Sequence, residues 1–173
     1  AAEGLKLRIR KHLEEQCKEK SDFGDMYIGT IDSFCLHILK HLKPEYRSFE
    51  VLDSARRIAF IDRWYYRMGF RELQGEQMRK WGTMRMFCDS SDKVMVERID
   101  TSKISNDVFV KCYEEYTKKL KEERFFDFTS IIFSLLELLK KSKTALKQMN
   151  ESIKHVVFDE YQDVNMLQEE LLE

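Results

Sequence analysis

The sequence predicts a mostly α-helical fold with a small β component, and three features carry that expectation. Apolar residues recur every three to four positions over most of the chain, the spacing of a helix with one buried face. Only two short runs, Tyr27–Ile31 and His155–Asp159, are apolar and β-branched without that period, as suits strands covered on both faces. Helix-capping residues punctuate the rest, with Ser or Asp ahead of the periodic stretches and Gly or Pro behind them.

The first helix is expected from about Glu3 to Lys20, because Leu5, Ile9 and Leu13 recur at four-residue spacing while Arg8, Lys11, Glu15 and Lys18 occupy other faces. Gly24 closes that region, and the run MYIGTI then reads as a buried strand. A helix from Ser33 to about Leu42 follows and is stopped by Pro44. The stretch FEVLDSARRIAFIDRWYYRMG predicts a helix capped by Asp53 or Ser54, with a stripe through Ile58, Ile61, Trp64 and Tyr65 and Gly69 at its C-terminal cap. Shorter amphipathic pieces are expected next, broken near Gly75, Gly82 and a turn at Asp89–Asp92.

The clearest helix lies in SNDVFVKCYEEYTKKLKEER, whose stripe is Phe109, Cys112, Tyr113, Tyr116 and Leu120. Glu114 and Glu115 precede Lys118 and Lys119 by four residues, the favourable order for helical ion pairs. Asp127 then stands at an N-cap position before FTSIIFSLLELLKK, an apolar helix ending in lysines that complement its dipole. A short helix near Ala145–Asn150 leads to the strand HVVF, an acidic turn, and a last helix from about Asn165.

Bulk properties exclude several function classes. With 30 basic and 31 acidic residues and a formal charge of −1, the chain as a whole favours neither a polyanion nor an anionic membrane as partner. No apolar run approaches the roughly 20 residues that cross a bilayer. Cys17, Cys35, Cys88 and Cys112 are scattered without a C-x-x-C pair, which predicts reduced thiols in a cytoplasmic protein. His12, His37, His41 and His155 lack zinc-site spacing. The sequence begins and ends inside helical patterns, as expected of a piece of a longer polypeptide.

Charge is uneven along the chain. Between Arg56 and Arg85, eight basic residues face three acidic ones, Asp62, Glu72 and Glu76. That excess suits contact with a nucleic-acid backbone, and a solvated helix surface accounts for it equally well. Trp64 and Tyr65 fall on a helical core stripe, whereas Trp81, before Gly82, is the exposed aromatic able to stack on a base.

The stretch KHVVFDEYQDVNMLQ, Lys154 to Gln168, concentrates the chemistry. Asp159 and Glu160 follow directly on an apolar run, at the carboxyl end where parallel sheets collect ligands. One carboxylate there suits a magnesium ion that carries nucleotide phosphates, and the other suits a water to be deprotonated. A plain surface turn is the competing reading. Gln162, Asp163 and Gln168 extend the pattern at fixed spacing.

These residues carry a family resemblance. VVFDEYQDVNMLQ resembles the Walker B motif, or motif II, of the UvrD/Rep/PcrA helicases, of the form D-E-[YF]-Q-D-[TV]-N-x-x-Q. YIGTIDSFCLHILK resembles their T-[FI]-H-S-F motif, FFDFTSIIFSLLELL their helix upstream of motif II, and AAEGLKLRIRKHL the tail of motif Ia. FEVLDSARRIAFIDR resembles the segment that opens their inserted 1B subdomain, and the blocks occur in the family's order.

The resemblance implies a partial RecA-like α/β domain, 1A, over residues 1–45 and 125–173, carrying an all-helical 1B insertion over 46–124. It implies an ATP-dependent helicase that translocates 3'-to-5' on DNA in repair or recombination, using ATP and Mg2+. Asp159 then matches the metal ligand, Glu160 the catalytic base, and Gln162 and Asp163 positions linking the nucleotide to the motor. Thr30, Asp32 and Ser33 match the stretch that touches single-stranded DNA. Asp32 replaces the family's His, and because a carboxylate repels phosphate its expected role is to cap the next helix beside Ser33. Single-stranded and duplex DNA are the implied partners, with no membrane. No glycine is followed by lysine, so the G-x-x-x-x-G-K-[ST] phosphate loop is missing from this stretch, and the piece alone is expected to be inactive. The alternatives are a non-catalytic helical module that binds DNA or protein, and the helicase part of a RecB/AddA-type helicase-nuclease.

Overall fold

A computed structural model of the chain describes residues 4, 7–9, 11, 12, 15, 27–76 and 78–172. Of the expected first helix, Gly4, Leu7, Arg8, Ile9, Lys11, His12 and Glu15 are described and are helical; its other positions and Gly24 lie outside the described residues. From Tyr27 onward the order is α1 (Ile31–Leu42), a 3-10 segment Pro44–Ser48, β1 (Glu50–Leu52), α2 (Ser54–Trp64), α3 (Phe70–Leu73), α4 (Lys80–Val96), a 3-10 segment Thr101–Lys103, α5 (Asp107–Glu122), β2 (Phe125–Asp127), α6 (Phe128–Lys141), α7 (Lys143–Ser152), a 3-10 segment Tyr161–Asp163 and α8 (Met166–Leu172).

The mostly helical expectation holds, but the strands lie elsewhere. Tyr27–Thr30 is irregular and leads straight into α1, and residues 155–158 have no regular structure. A strand needs a neighbour for its N–H and C=O groups, and neither segment has one among the described residues. Val157 is accordingly 93% exposed and Val156 is exposed too. The sheet is instead a parallel pair of short strands, with Glu50 opposite Phe125, Val51 opposite Phe126 and Leu52 opposite Asp127. Because β1 falls within 46–124, that range is not all-helical.

The strand pair fixes where the long helical crossover leaves and returns. Each strand runs into an Asp N-cap: Asp53 accepts from the Arg56 N–H and opens α2, while Asp127 accepts from the Ser130 N–H and opens α6. At α6 the Ser130 hydroxyl also accepts from the Asp127 N–H, completing a capping box. Two apolar cores form on either side of this ladder. One gathers Tyr65, Phe70, Phe87, Cys112 and Tyr116 from α2 to α5, and the other gathers Cys35, Leu39, Leu135 and Leu167 from α1, α6 and α8.

Gly69 does terminate a helical region, as its position in the sequence predicts. Its φ is +79°, the Phe70 N–H reaches the Tyr65 carbonyl at 3.1 Å and the Gly69 N–H reaches that of Tyr66 at 3.3 Å, the paired bonds of a Schellman cap. A Cβ here would meet only the Cys112 Sγ at 3.7 Å, an ordinary contact, so the cost of a side chain is one of backbone conformation. Gly69→Ala is expected to lower unfolding free energy by about 1–2 kcal/mol, measured by urea unfolding.

The expected break at Gly82 and turn at Asp89–Asp92 do not occur, because α4 runs unbroken through both. Ser91 is fully buried and donates to the Cys88 carbonyl, while Asp92 accepts both Arg57 and Thr129. Polar residues that favour turns locally are held helical by partners on other elements. On α5 the anticipated four-residue pairs are replaced by Lys118–Glu115 and by Lys119 with Glu122 and Glu123.

Candidate functional site

The acidic turn is an exposed, self-bonded loop. Asp159, Glu160, Gln162 and Asp163 are all exposed, and none forms an ion pair among the described residues. Asp159 Oδ1 accepts the Glu160 N–H at 3.0 Å, the Gln162 amide donates to Glu160 Oε2, and the Asp163 N–H donates to the Glu160 carbonyl at 2.9 Å. Glu160 itself has φ +52° and ψ 47°, the left-handed region that a residue with a side chain enters only under constraint. Strain thus falls on the residue whose position in the motif matches the base.

Hard oxygen donors open to solvent fit a magnesium ion, which takes one or two protein carboxylates and keeps several waters. Among the described residues no group of three or more His, Cys, Asp or Glu is placed to cage a metal. An ion here would therefore rest on one or two carboxylates plus what its ligand brings. Downstream, Asn165 and Gln168 cap α8 reciprocally: the Gln168 N–H donates to Asn165 Oδ1 and the Asn165 N–H to Gln168 Oε1, both at 3.0 Å. The N-x-x-Q spacing thus has a local purpose, to begin the helix that follows the turn.

The second group of candidates, Thr30, Asp32 and Ser33, sits at the start of α1. Thr30 is the N-cap and accepts from the Ser33 N–H at 3.2 Å; the expectation that Asp32 caps is overturned. Thr30 wins because its extended backbone, φ −75° and ψ 160°, aims its hydroxyl back at the helix end. Ser33 Oγ donates to the Thr30 carbonyl at 2.9 Å and accepts from the Tyr27 hydroxyl at 2.8 Å. No hydrogen bond joins this group to the acidic turn among the described residues.

Asp32 occupies the first turn, half-buried, and burial raises its carboxyl above the ordinary value of 3.8 despite a backbone hydrogen bond that opposes the shift. A folded-state value above the unfolded one means that the native chain binds the extra proton in that window, so stability falls as pH rises through it. Asp32→Asn should raise the thermal midpoint at neutral pH, with the gain disappearing below about pH 3.8; parallel melts at pH 7 and pH 3 read the difference. The neighbouring Cys35 thiol is pushed up to about 12 by burial and then by Asp32, which leaves it an unreactive core group.

Two arginines escape a reading of the sequence alone. Arg57, counted there among the basic excess, is buried: Nη1 meets both Asp92 oxygens at 2.9 and 2.8 Å, Nη2 meets Ser91 Oγ at 2.7 Å and Asp127 Oδ2 at 3.4 Å, and Nε meets the Tyr116 hydroxyl at 2.9 Å. Burial opposes its charge, but Asp127 and the other partners more than offset that and raise its pKa. The signal was present in its place on the α2 stripe with Phe60 and Ile61, since a cation there must find a partner. Arg98, beyond α4, forks onto Glu170 of α8, and nothing in its local sequence announces that.

Of the other surface cations, Arg56 pairs with Glu50 and Lys80 with Asp62. Trp64 is half-buried with Arg63, Arg67 and Lys119 over its ring, the last at 3.9 Å. Tyr65 is core and donates to Gln74 at 2.8 Å. Trp81 is 58% exposed with the Arg85 guanidinium 5.2 Å from its ring centre, but it lies within α4 rather than in a turn.

With this geometry in hand, comparison of the sequence with known proteins defines its class. The chain belongs to the UvrD/REP helicase N-terminal domain family, whose model matches residues 1–173. It is 27% identical over 151 residues to the ATP-dependent DNA helicase Rep of Buchnera aphidicola subsp. Baizongia pistaciae, covering 84% of this chain and 22% of that protein. It is 24% identical over 151 residues to the ATP-dependent DNA helicase PcrA of Bacillus subtilis, covering 83% of this chain and 20% of that protein. A 70-residue stretch is 36% identical to an ATP-dependent helicase/nuclease of Carboxydothermus hydrogenoformans, covering 38% of this chain and 6% of that protein. The chain thus spans about a fifth of the length of the Rep and PcrA relatives. Among the described residues no helix is long and apolar enough to cross a membrane.

Proposed function

We propose that this chain is the part of an ATP-dependent DNA helicase that reads the metal-bound nucleotide, and that the acidic turn is its hydrolytic element. The observation that carries this is the motif DEYQDVNMLQ folded as an exposed turn with Glu160 in a strained conformation and a capped helix behind it. Asp159 holds the Mg2+ of Mg-ATP, and the ion supplies charge neutralisation for the phosphates. Glu160 accepts a proton from the attacking water. The Gln162 amide steadies the Glu160 carboxylate, and Asp163 bonds back to the Glu160 carbonyl, so both link the site to α8.

Residues 1–45 and 125–173 form the 1A portion and residues 46–124 the 1B insertion, a division supported by the two separate apolar cores. Thr30 and Ser33 lie along the single-stranded DNA path. Their hydroxyls are engaged in capping α1, so the backbone start of α1 is their contribution, while Asp32 disfavours close phosphate approach. DNA, ATP and Mg2+ are the partners of the full-length protein, acting in the cytoplasm in repair or recombination. The stretch shared with a helicase/nuclease favours a second reading, a helicase-nuclease, which a nuclease domain downstream in the gene would establish.

Strand displacement by the full-length protein tests the proposal. With Mg-ATP it should open a duplex bearing a 3' single-stranded tail and leave one with a 5' tail closed. Failure on both substrates, with no ATP hydrolysis stimulated by DNA, would support the non-catalytic module.

A further inference from the structure

The acidic turn owes its position to α8. Among the described residues its hydrogen bonds are internal, and the next helix is pinned in two ways: Leu167 is buried in the core with Leu135 and Leu139, and Glu170 is gripped by Arg98. Arg98 Nε lies 3.0 Å from Glu170 Oε2 and Nη2 lies 3.3 Å from Oε1, while Nη1 reaches Glu137 Oε1 at 3.0 Å. The guanidinium rests 4.9 Å from the centre of the Phe133 ring, and Lys140 and Lys141 complete the pairing of Glu170 and Glu137. Two parallel N–H donors on one carboxylate fix orientation as well as distance.

Arg98 takes up this role at a backbone cost. It follows α4 with φ +53°, the Ile99 N–H reaching the Val94 carbonyl and the Arg98 N–H that of Met95. This is the Schellman position at which Gly69 stands in the earlier cap, and where glycine is the unstrained residue. An arginine held left-handed where glycine fits better points to a role for its side chain.

We propose that Arg98 is a positioning residue: through Glu170 it sets α8, and with it the acidic turn, against the helical segment between β1 and β2, so that DNA engaged by that segment alters ATP turnover. The inference rests on the hydrolytic reading given above. It deepens that reading by naming the contact through which the segment between the strands reports to the site.

The test uses full-length protein and compares DNA-stimulated ATP hydrolysis in Arg98→Gly, Glu170→Gln, the double variant and Glu160→Gln. Arg98→Gly relieves the backbone while removing the fork, and Glu170→Gln keeps the side-chain shape, so loss of fold in one leaves the other informative. Each single change should lower the stimulated kcat roughly tenfold and leave the KM for ATP within about twofold, since nucleotide contacts are untouched. The double variant should be no worse than the weaker single, as for one shared contact. Stimulated kcat equal to that of the unmodified protein, or losses that multiply in the double variant, overturns the proposal. Undiminished turnover in Glu160→Gln would instead remove the hydrolytic reading itself.

Discussion

Arg57→Ala should lower the unfolding free energy by about 3–5 kcal/mol, because removing one partner of a buried pair strands the other. Asp127 is 1% exposed and the Arg57 guanidinium lies between it and Asp92. Whole domains are stable by only about 5–15 kcal/mol, so the variant is expected to sit near its threshold. The effect is electrostatic rather than a matter of lost volume, and a second pair of variants separates the two. Arg57→Met fills the space yet should cost nearly as much, while adding Asp127→Asn should recover part of the loss. Asn still caps α6 through its side-chain oxygen and no longer carries a charge that needs Arg57. Urea unfolding monitored by Trp64 and Trp81 fluorescence gives the four midpoints; equal stability of Arg57→Met and the parent chain would refute the pairing.

Glu160→Gln in the full-length protein should reduce ATP turnover by about 10^2–10^4-fold, the contribution of a placed general base. ATP affinity should stay close to that of the parent. The substitution is conservative in shape: the carboxamide oxygen can still accept from the Gln162 amide, and the Asp163 bond to the Glu160 carbonyl does not involve the side chain. What it removes is proton affinity. Equilibrium binding of a slowly hydrolysed ATP analogue, set beside steady-state turnover, distinguishes a lost base from a collapsed turn.

Local chemistry was legible in the sequence. Asp53, Asn106 and Asp127 are N-caps because a short polar side chain before an apolar stripe has few other uses, and Gly69 sits left-handed where its position beyond a helix demanded it. The acidic motif was equally plain, since four polar residues at fixed spacing are a one-dimensional pattern. Pairing across the chain was not. Glu50–Leu52 and Phe125–Asp127 are three-residue strands whose alignment depends on everything folded between them, and neither has a period long enough to read. HVVF has the composition of a strand but lacks a neighbour among the described residues, and composition alone cannot supply one. Arg57 and Arg98 follow the same logic, because their partners Asp92 and Glu170 stand 35 and 72 residues away.

The central claim is that Asp159 and Glu160 divide the work of holding a metal-bound nucleotide and activating water. Magnesium titration of ATP hydrolysis by full-length Asp159→Asn and Glu160→Gln tests it most directly. The account predicts a half-saturating Mg2+ concentration raised by roughly tenfold or more in Asp159→Asn, the loss of one charged ligand. In Glu160→Gln magnesium-dependent nucleotide binding should be preserved with turnover nearly abolished. Parent-like magnesium dependence and turnover in both variants would contradict it.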